Sequence, residues 1–442
     1  MMKEKTIVLS MDAMVGADIA YLKTKPNFSR LFKERCEVGK VCTIYPSITY
    51  PAHMSIMTGC RPGKHGVITN LQFAVDKGYP AWHIDSSILQ VEDIFAAAKR
   101  QGMTTGSIYW PICGNNPNID YLINEFFFYE NEPVEEAFAA MGANEETLEI
   151  VRENMHRFPT AFEQVEERLE LNNSFDDFIM GCMCSMIRKN QPDLLLVHNC
   201  WLDDLRHRNG VFNQFVTDGL DQTDEWLGQV IAALEDAGTY ENTNFVLLSD
   251  HGQMDYSRRI KINLLLRRGG FIDVDENGKI TDWRALAQSN GMSATIFLKD
   301  PTDKALAEEV RAYLQGLADQ MVWGFLQVQS EAEVRERYGM YGDFAFMVET
   351  DGYTSFSDDW NDPVLKQMDM SDSHRLGAAT HGYHPEYGPQ PVFVARGPGF
   401  KPGAYIENAF VIDEAPTIAR MFGDSMPQAE GRVMAELLAD GR

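Results

Sequence analysis

The sequence predicts an α/β protein: a three-layer αβα core around a mostly parallel central sheet, with a small α+β subdomain inserted late in the chain. Three hydrophobic runs carry this reading: Thr6-Ile7-Val8-Leu9-Ser10-Met11, Leu194-Leu195-Leu196-Val197 and Phe245-Val246-Leu247-Leu248. They are continuous rather than alternating, as strands are when helices cover both faces of a parallel sheet. Each is followed by an acid, Asp12, Asp203 or Asp250, and such sheets bind ligands beyond their carboxyl ends. The acids are therefore expected to converge on one sheet edge.

The remaining elements follow in order. Asn27 to Glu34 reads as a short helix and Val38 to Thr43 as a second strand. Pro51 suits the first turn of a helix that Gly59 stops, which puts Thr49 at or just before a helix N-terminus. Asp93 to Gln101 reads as helix, Gly102 as a break and Thr104 to Trp110 as a strand. Between about 124 and 173 the pattern changes to the cluster Phe126-Phe127-Phe128-Tyr129 and acid-rich helices such as Glu145 to Phe158, a helical insertion. From Phe215 to Gly238, apolar residues at 216, 220, 227, 230, 231 and 234 follow the helical period, with Asp218, Asp221 and Asp224 assigned to the wet face. Ser293 to Leu298, a helix over Asp303 to Leu317 and Asp343 to Val348 make residues 255–375 an inserted α+β subdomain. The core then comprises 1–254 and 376–442, closing with a strand over Pro391 to Arg396 and a helix from near Asp413.

Of 442 residues, 44% are hydrophobic and 24% charged, ordinary globular usage that excludes a disordered or fibrous chain. With 39 Lys and Arg against 65 Asp and Glu, the formal charge is -26, which repels polynucleotides and anionic membranes. No nucleic-acid or membrane partner is expected. Small phosphate esters would be repelled too, unless bound cations reverse the local sign. Seven cysteines, at 36, 42, 60, 113, 182, 184 and 200, form an odd set without zinc-finger spacing and read as reduced thiols. The N-terminus runs into the first strand without an apolar signal stretch, and no segment approaches about 18 uncharged apolar residues. A cytoplasmic location is expected.

Asp203 and His207 stand four apart, so on a helix both point from one face and suit a shared cation; the spacing equally fits a solvated pair beside an Asp204–Arg208 ion pair. Asp250-His251, directly after a strand, is costly to bury without a cation or hydrogen-bond partners. His381, in Ala379-Thr380-His381-Gly382-Tyr383, has a glycine neighbour that permits a tight turn. His53, His65, His83, His156, His198, His374 and His384 have no clear partner in sequence and read as structural or surface residues, His384 being the strongest exception. Thr49 fits a helix cap and equally a hydroxyl nucleophile beside a divalent ion at an anion-attracting helix N-terminus.

Taken together, the set has a resemblance. Ile44-Tyr45-Pro46-Ser47-Ile48-Thr49-Tyr50-Pro51-Ala52-His53, then Thr58-Gly59-Cys60-Arg61-Pro62-Gly63-Lys64-His65-Gly66 and Asn70, resembles the nucleophile region of the nucleotide pyrophosphatase/phosphodiesterases, the type I phosphodiesterases of the alkaline phosphatase superfamily. The order Asp12, Thr49, Asp203, His207, Asp250, His251, His381 is similar to that family's across nearly the whole chain. The resemblance implies an alkaline-phosphatase-like core and a two-metal hydrolase, zinc being the expected metal and manganese or magnesium the alternatives. Asp12, Thr49, Asp250 and His251 would surround one ion, and Asp203, His207 and His381 the other. It also implies that Thr49 is the catalytic nucleophile, passing through a phosphothreonine, and that Asn70 binds a phosphoryl oxygen. Trp110-Pro111 is similar to the family's Trp-Pro element near the substrate, and Tyr50 holds its aromatic position beside the nucleophile; both are expected to stack on a base or another flat group. The chain departs from many relatives in having Ala13-Met14 after Asp12.

A small phosphodiester or nucleotide is the expected substrate, because neutral Asn70 offers nothing for the extra charge of a monoester. A phosphonate hydrolase similar to the phosphonoacetate hydrolases and a phosphomonoesterase are the alternatives. The former bind a carboxylate through lysines where this chain has Ile108-Tyr109-Trp110-Pro111. A non-catalytic nucleotide-binding protein is the reading from another class, and the Thr49 hydroxyl beside a full ligand set argues against it.

Overall fold

A computed structural model of the chain describes residues 4–75, 82–126, 133–158, 175–367 and 378–441. Its centre is an eight-stranded sheet. In chain order the strands are β1 (Lys5–Met11), β2 (Arg35–Cys42), β3 (Thr105–Ile108), β4 (Tyr121–Ile123), β5 (Leu194–Asn199), β6 (Thr243–Leu248), β7 (Phe393–Arg396) and β8 (Tyr405–Phe410). Across the sheet they lie β8-β2-β7-β6-β1-β5-β3-β4. Only β7 is antiparallel to its neighbours; the other pairings are parallel.

The continuous hydrophobic runs now have a physical explanation. Along the inner strands alternate residues enter two separate cores. Ile7, Leu9, Leu195, Val197, Phe245 and Leu247 pack on one face beneath the helices Phe175–Lys189 and Gln214–Asp236. Val8, Leu194, Leu196, Val246 and Leu248 pack on the other, beneath Thr49–Thr58, Ile94–Arg100 and Glu414–Met421. Leu247 is wholly buried, and burying such a side chain contributes about 1.5–3 kcal/mol. A polar residue at either parity would forfeit that, so neither face tolerates alternation.

The register sets up the site. Met11 lies beside Asn199, and Ser10 beside both His198 and Leu248. The chain therefore leaves β1, β5 and β6 at one level, which places Asp12, Cys200 and Asp250 together beyond one edge.

Some local expectations are corrected. The early helix is Pro26–Leu31, opened by its proline. The strand expected through Trp110 stops at Ile108, because Tyr109 (φ 58°) and Ile112 (φ 55°) turn the chain through left-handed backbone. Asp224 is buried rather than wet: its carboxylate accepts the Asn27 and Phe28 N–H groups at 3.3 and 2.7 Å, satisfying donors that helix geometry leaves open at the start of Pro26–Leu31.

Late in the chain, Ala285–Ser289, Ser293–Leu298, Phe346–Thr350 and Phe325–Ser330 form an antiparallel sheet in that order. Val310 and Leu314 of the helix Lys304–Asp319 share its hydrophobic core. This region touches the site through Met292, whose N–H donates to the His381 carbonyl at 2.9 Å. Phe127, Phe128, Tyr129 and His374 lie outside the described residues, as do the expected boundaries at 173 and 375–376. No helix among the described residues is long and apolar enough to cross a membrane.

Candidate active site

Thr49 opens the helix Thr49–Thr58, and Ile48, which makes no side-chain cap, holds the N-cap position. The Thr49 hydroxyl is thus not a cap; it lies 3.2 Å from His251 Nε2. Its neighbour's N–H is satisfied instead by Asn70, whose Oδ1 accepts from Tyr50 N–H at 2.9 Å. That bond fixes the amide with its NH₂ end left for another acceptor. Gly59 ends the helix at φ 69°, where a side chain would strain the backbone.

Five of the six predicted acids and imidazoles fall in two overlapping groups, and Asp12 also groups with His198 and Cys200. Asp203, His207 and His381 place one ligand atom each within 4.8 Å of one another, as do Asp12, Asp203 and His251. Asp250 Oδ2 is 3.1 Å from His251 Nε2, and Asp12 Oδ1 is 3.5 Å from the same nitrogen. His207 Nε2 and Asp203 Oδ2 are 3.2 Å apart on one helical face, and the Asp204–Arg208 pair coexists with them.

His251 Nδ1 lies 3.1 Å from the Gly252 carbonyl, and His207 Nδ1 lies 2.9 Å from the Ala379 carbonyl. A carbonyl only accepts, so in both rings Nδ1 carries the proton, and in the neutral ring Nε2 presents a lone pair. The His251 lone pair faces Asp12 and Asp250, whereas at His207 burial is offset by the Asp203 carboxylate, which raises the imidazole pKa and favours a donating Nε2. Among the described residues, Asp12 Oδ1, Asp250 Oδ2 and His381 Nδ1 are buried without a hydrogen-bond partner. Acceptors turned on acceptors in a buried site fit divalent cations, which carboxylate, imidazole and hydroxyl groups can ligate.

Electrostatics lead to the same place. Burial, reinforced by the Asp203 charge, raises the Asp12 carboxyl well above its ordinary range. Burial and then Asp12 push Asp250 up to about 8. At Asp203, burial is outweighed by His207, His381 and His251, which hold the carboxyl well below its usual range. Burial drives the His381 imidazole well down. Like charges this close cannot all ionise unless positive charge joins them.

Several residues that sequence reasoning missed support these ligands. His198 Nε2 is 3.1 Å from Asp12 Oδ2. His53 lies 2.8 Å from the Thr49 carbonyl through Nδ1 and 2.9 Å from Ser10 Oγ through Nε2. Gln253 donates to the Asp203 carbonyl at 3.0 Å and to its carboxylate. Buried Arg206 bonds both Asp18 oxygens at 2.7 Å and the Ala13 carbonyl, fastening the loop after Asp12 to the helix Trp201–Asn209. A signal existed for His198, which stands one residue before the end of β5, near where the acids follow β1 and β6.

A cavity of about 300 Å³ adjoins Asp12, Thr49 and Asp203, walled by Tyr50, Trp82, Tyr109, Phe126 and Phe175. Trp110, expected to stack on substrate, is wholly buried in the core with its ring edge-on to His53 at 4.9 Å. The left-handed turn at Tyr109 accounts for this: it directs Tyr109 to the cavity and its neighbour inward. His384 lies apart from the metal groups, bonded to Tyr338.

Residues 6–384 match the family model of the type I phosphodiesterases/nucleotide pyrophosphatases. The chain belongs to that family. It thereby falls within the alkaline phosphatase superfamily. Among its relatives, the chain is 26% identical over 279 residues to the bis(5'-adenosyl)-triphosphatase enpp4 of Xenopus laevis, covering 62% of this chain and 53% of that protein. It is 23% identical over 283 residues to human ectonucleotide pyrophosphatase/phosphodiesterase family member 5, covering 62% and 50%. The matched region thus spans about half the length of these two relatives. The fold is shared with solved murine family member 5 at a TM-score of 0.66 and 19% identity, over 99% of this chain and 100% of that one. An inactive variant of the murine protein in complex with AMP matches at 0.66 and 18%, over 99% and 100%.

Proposed function

We infer that the protein is a metal-dependent phosphodiesterase/nucleotide pyrophosphatase that cleaves phosphodiester or phosphoanhydride bonds through a phosphothreonine. The observation that carries this is the Thr49 hydroxyl at a helix N-terminus, 3.2 Å from His251 Nε2, beside the buried Asp12 and Asp250 carboxylates, each with one oxygen that meets no donor among the described residues. Asp12, Thr49, Asp250 and His251 would hold one ion and Asp203, His207 and His381 the second, zinc being the expected metal. When bound, such ions lower the hydroxyl pKa and neutralise charge on the phosphoryl and departing oxygens.

Thr49 Oγ forms the new bond to phosphorus as the bond to the leaving oxygen breaks. The helix N-terminus favours the phosphoryl anion, and the Asn70 NH₂, its Oδ1 already engaged by Tyr50, donates to a non-bridging oxygen. Water then attacks the phosphothreonine, and Thr49 is regenerated. The aromatic cavity suits a nucleoside, and the AMP bound to the murine relative supports a nucleotide substrate. Arg208, the cationic residue of the described cavity wall, is paired with Asp204, which favours diesters over dianionic monoesters or phosphonoacetate. A cytoplasmic location belongs to the same reading, supported by seven free thiols.

Rates on a diester, a monoester and phosphonoacetate, measured side by side, test the substrate class; preference for the monoester or the phosphonate overturns it. Thr49→Ala is expected to abolish diester turnover while the protein keeps its metal content. Full turnover in that variant would contradict the nucleophile assignment.

A further inference from the structure

Glu125 follows β4 and lines the aromatic cavity beside the candidate site. It is 6% exposed. Its Oε1 lies 3.9 Å from His198 Nδ1 and the Tyr50 hydroxyl acts on its carboxyl, yet among the described residues Oε2 meets no donor. Outside the candidate metal groups, the other cavity carboxylates are engaged: Asp176 Oδ1 accepts the Cys200 N–H at 2.7 Å, and Asp204 Oδ1 accepts from Arg208 at 3.0 Å. A buried acceptor without a donor is costly, and native structures rarely leave one unexplained. The residue as a whole lines a space framed by flat rings. The Tyr50 and Trp82 ring centroids are 5.1 Å apart, and Tyr109 and Phe175 meet edge-on at 4.8 Å.

We propose that Glu125 is a base-selecting residue, its free oxygen accepting a hydrogen bond from the exocyclic amino group of a nucleobase held in the aromatic cavity. The inference rests on the nucleotide reading above and deepens it to a class: nucleotides whose base carries an amino group. Cytosine presents an N–H donor where uracil presents a carbonyl oxygen. A carboxylate rewards the first and repels the second by setting lone pair against lone pair. The same geometry explains the link to Tyr50, whose hydroxyl occupies part of the Glu125 carboxylate and orients the remainder while its ring forms a wall. Burial raises the Glu125 carboxyl to about 7, so the preference for the amino-bearing base belongs to the ionised form and is read above that pH, where the carboxylate only accepts.

The test uses the p-nitrophenyl esters of cytidine and uridine 5'-monophosphate with the metal-replete full chain, and bis(p-nitrophenyl) phosphate in parallel. The cytidine ester is expected to show a kcat/KM about tenfold or more above the uridine ester, the discrimination typical of one base-edge contact. In Glu125→Gln, whose amide can donate as well as accept, that ratio should fall to about one or invert. Equal rates on the two esters in the wild type, or an unchanged ratio in the variant, would overturn the proposal. Loss of turnover on all three esters would instead overturn the phosphodiesterase reading. Binding of CMP and UMP to the Thr49→Ala protein then still decides base preference, with tighter CMP binding expected and equal affinities contradicting it.

Discussion

Two buried polar clusters grow from the same two chain segments and have opposite character. Tyr45, four residues before Thr49, and His384, three after His381, meet Glu349, whose two oxygens accept the Tyr45 hydroxyl at 2.8 Å and the His384 N–H at 3.0 Å. Every carboxylate oxygen there has a donor. Around Thr49 and His381 themselves, Asp12 Oδ1, Asp250 Oδ2 and His381 Nδ1 have none. Burial, aromatic neighbours and raised carboxyl pKa values are common to both clusters, since Glu349 is also pushed up, to about 8, by burial. Hydrogen-bond completeness separates them: a closed network is structure, whereas an open one inside a protein calls for a ligand.

The largest effect is expected in the open cluster. Asp250→Asn should lower kcat/KM on a diester at least about 10³-fold, since even partners of metal ligands cost about 10–100-fold when removed. Steady-state kinetics at saturating metal check this. A loss below tenfold would erase the distinction between the clusters.

Next in size is the buried clamp beneath that cluster. Arg206→Met leaves Asp18 charged, buried and unpaired, which should cost about 3–5 kcal/mol. Denaturant unfolding of the single variant and of the double variant with Asp18→Asn measures it, and the double variant should recover part of the loss. If Asp18→Asn recovers nothing, Arg206 acts through packing and the clamp account fails.

The most pH-dependent effect, vanishing near pH 4.5, belongs to the closed cluster. Between about pH 4.5 and 8 the Glu349 carboxyl ionises in the unfolded chain but stays protonated in the fold. Its stabilising share is therefore complete below that window and is lost as pH rises through it. Glu349→Gln should thus unfold at a midpoint close to wild type near pH 4.5 and at a progressively higher one toward pH 8, with activity retained at each pH. A gain that is flat with pH would show that the group does not titrate there.

These contrasts also show why part of the molecule was legible in its sequence. β1, β5 and β6 bury both faces, so their runs announced a parallel sheet, and the acids beyond them announced the site. Asp224 was misread although its position, four after Leu220 and three before Leu227, lies on the buried face; its partners, the N–H groups at 27 and 28, are nearly 200 residues away. His198 and His53 looked partnerless for the same reason, their neighbours Asp12 and Asp250 being remote in sequence. Trp110 and Tyr109 exchanged roles because a left-handed residue that is not glycine leaves no local signature. Glu125 carried no signal at all, since an unsatisfied oxygen exists only once the fold has closed around it.

Metal stoichiometry tests the central claim most directly. Protein stripped with a chelator and reloaded with zinc should bind two ions per chain, Asp203→Asn and Asp250→Asn should each retain about one, and Glu349→Gln should keep both. Absence of tight binding in the wild type, or variants of Asp203 and Asp250 that still hold two ions, would contradict the account.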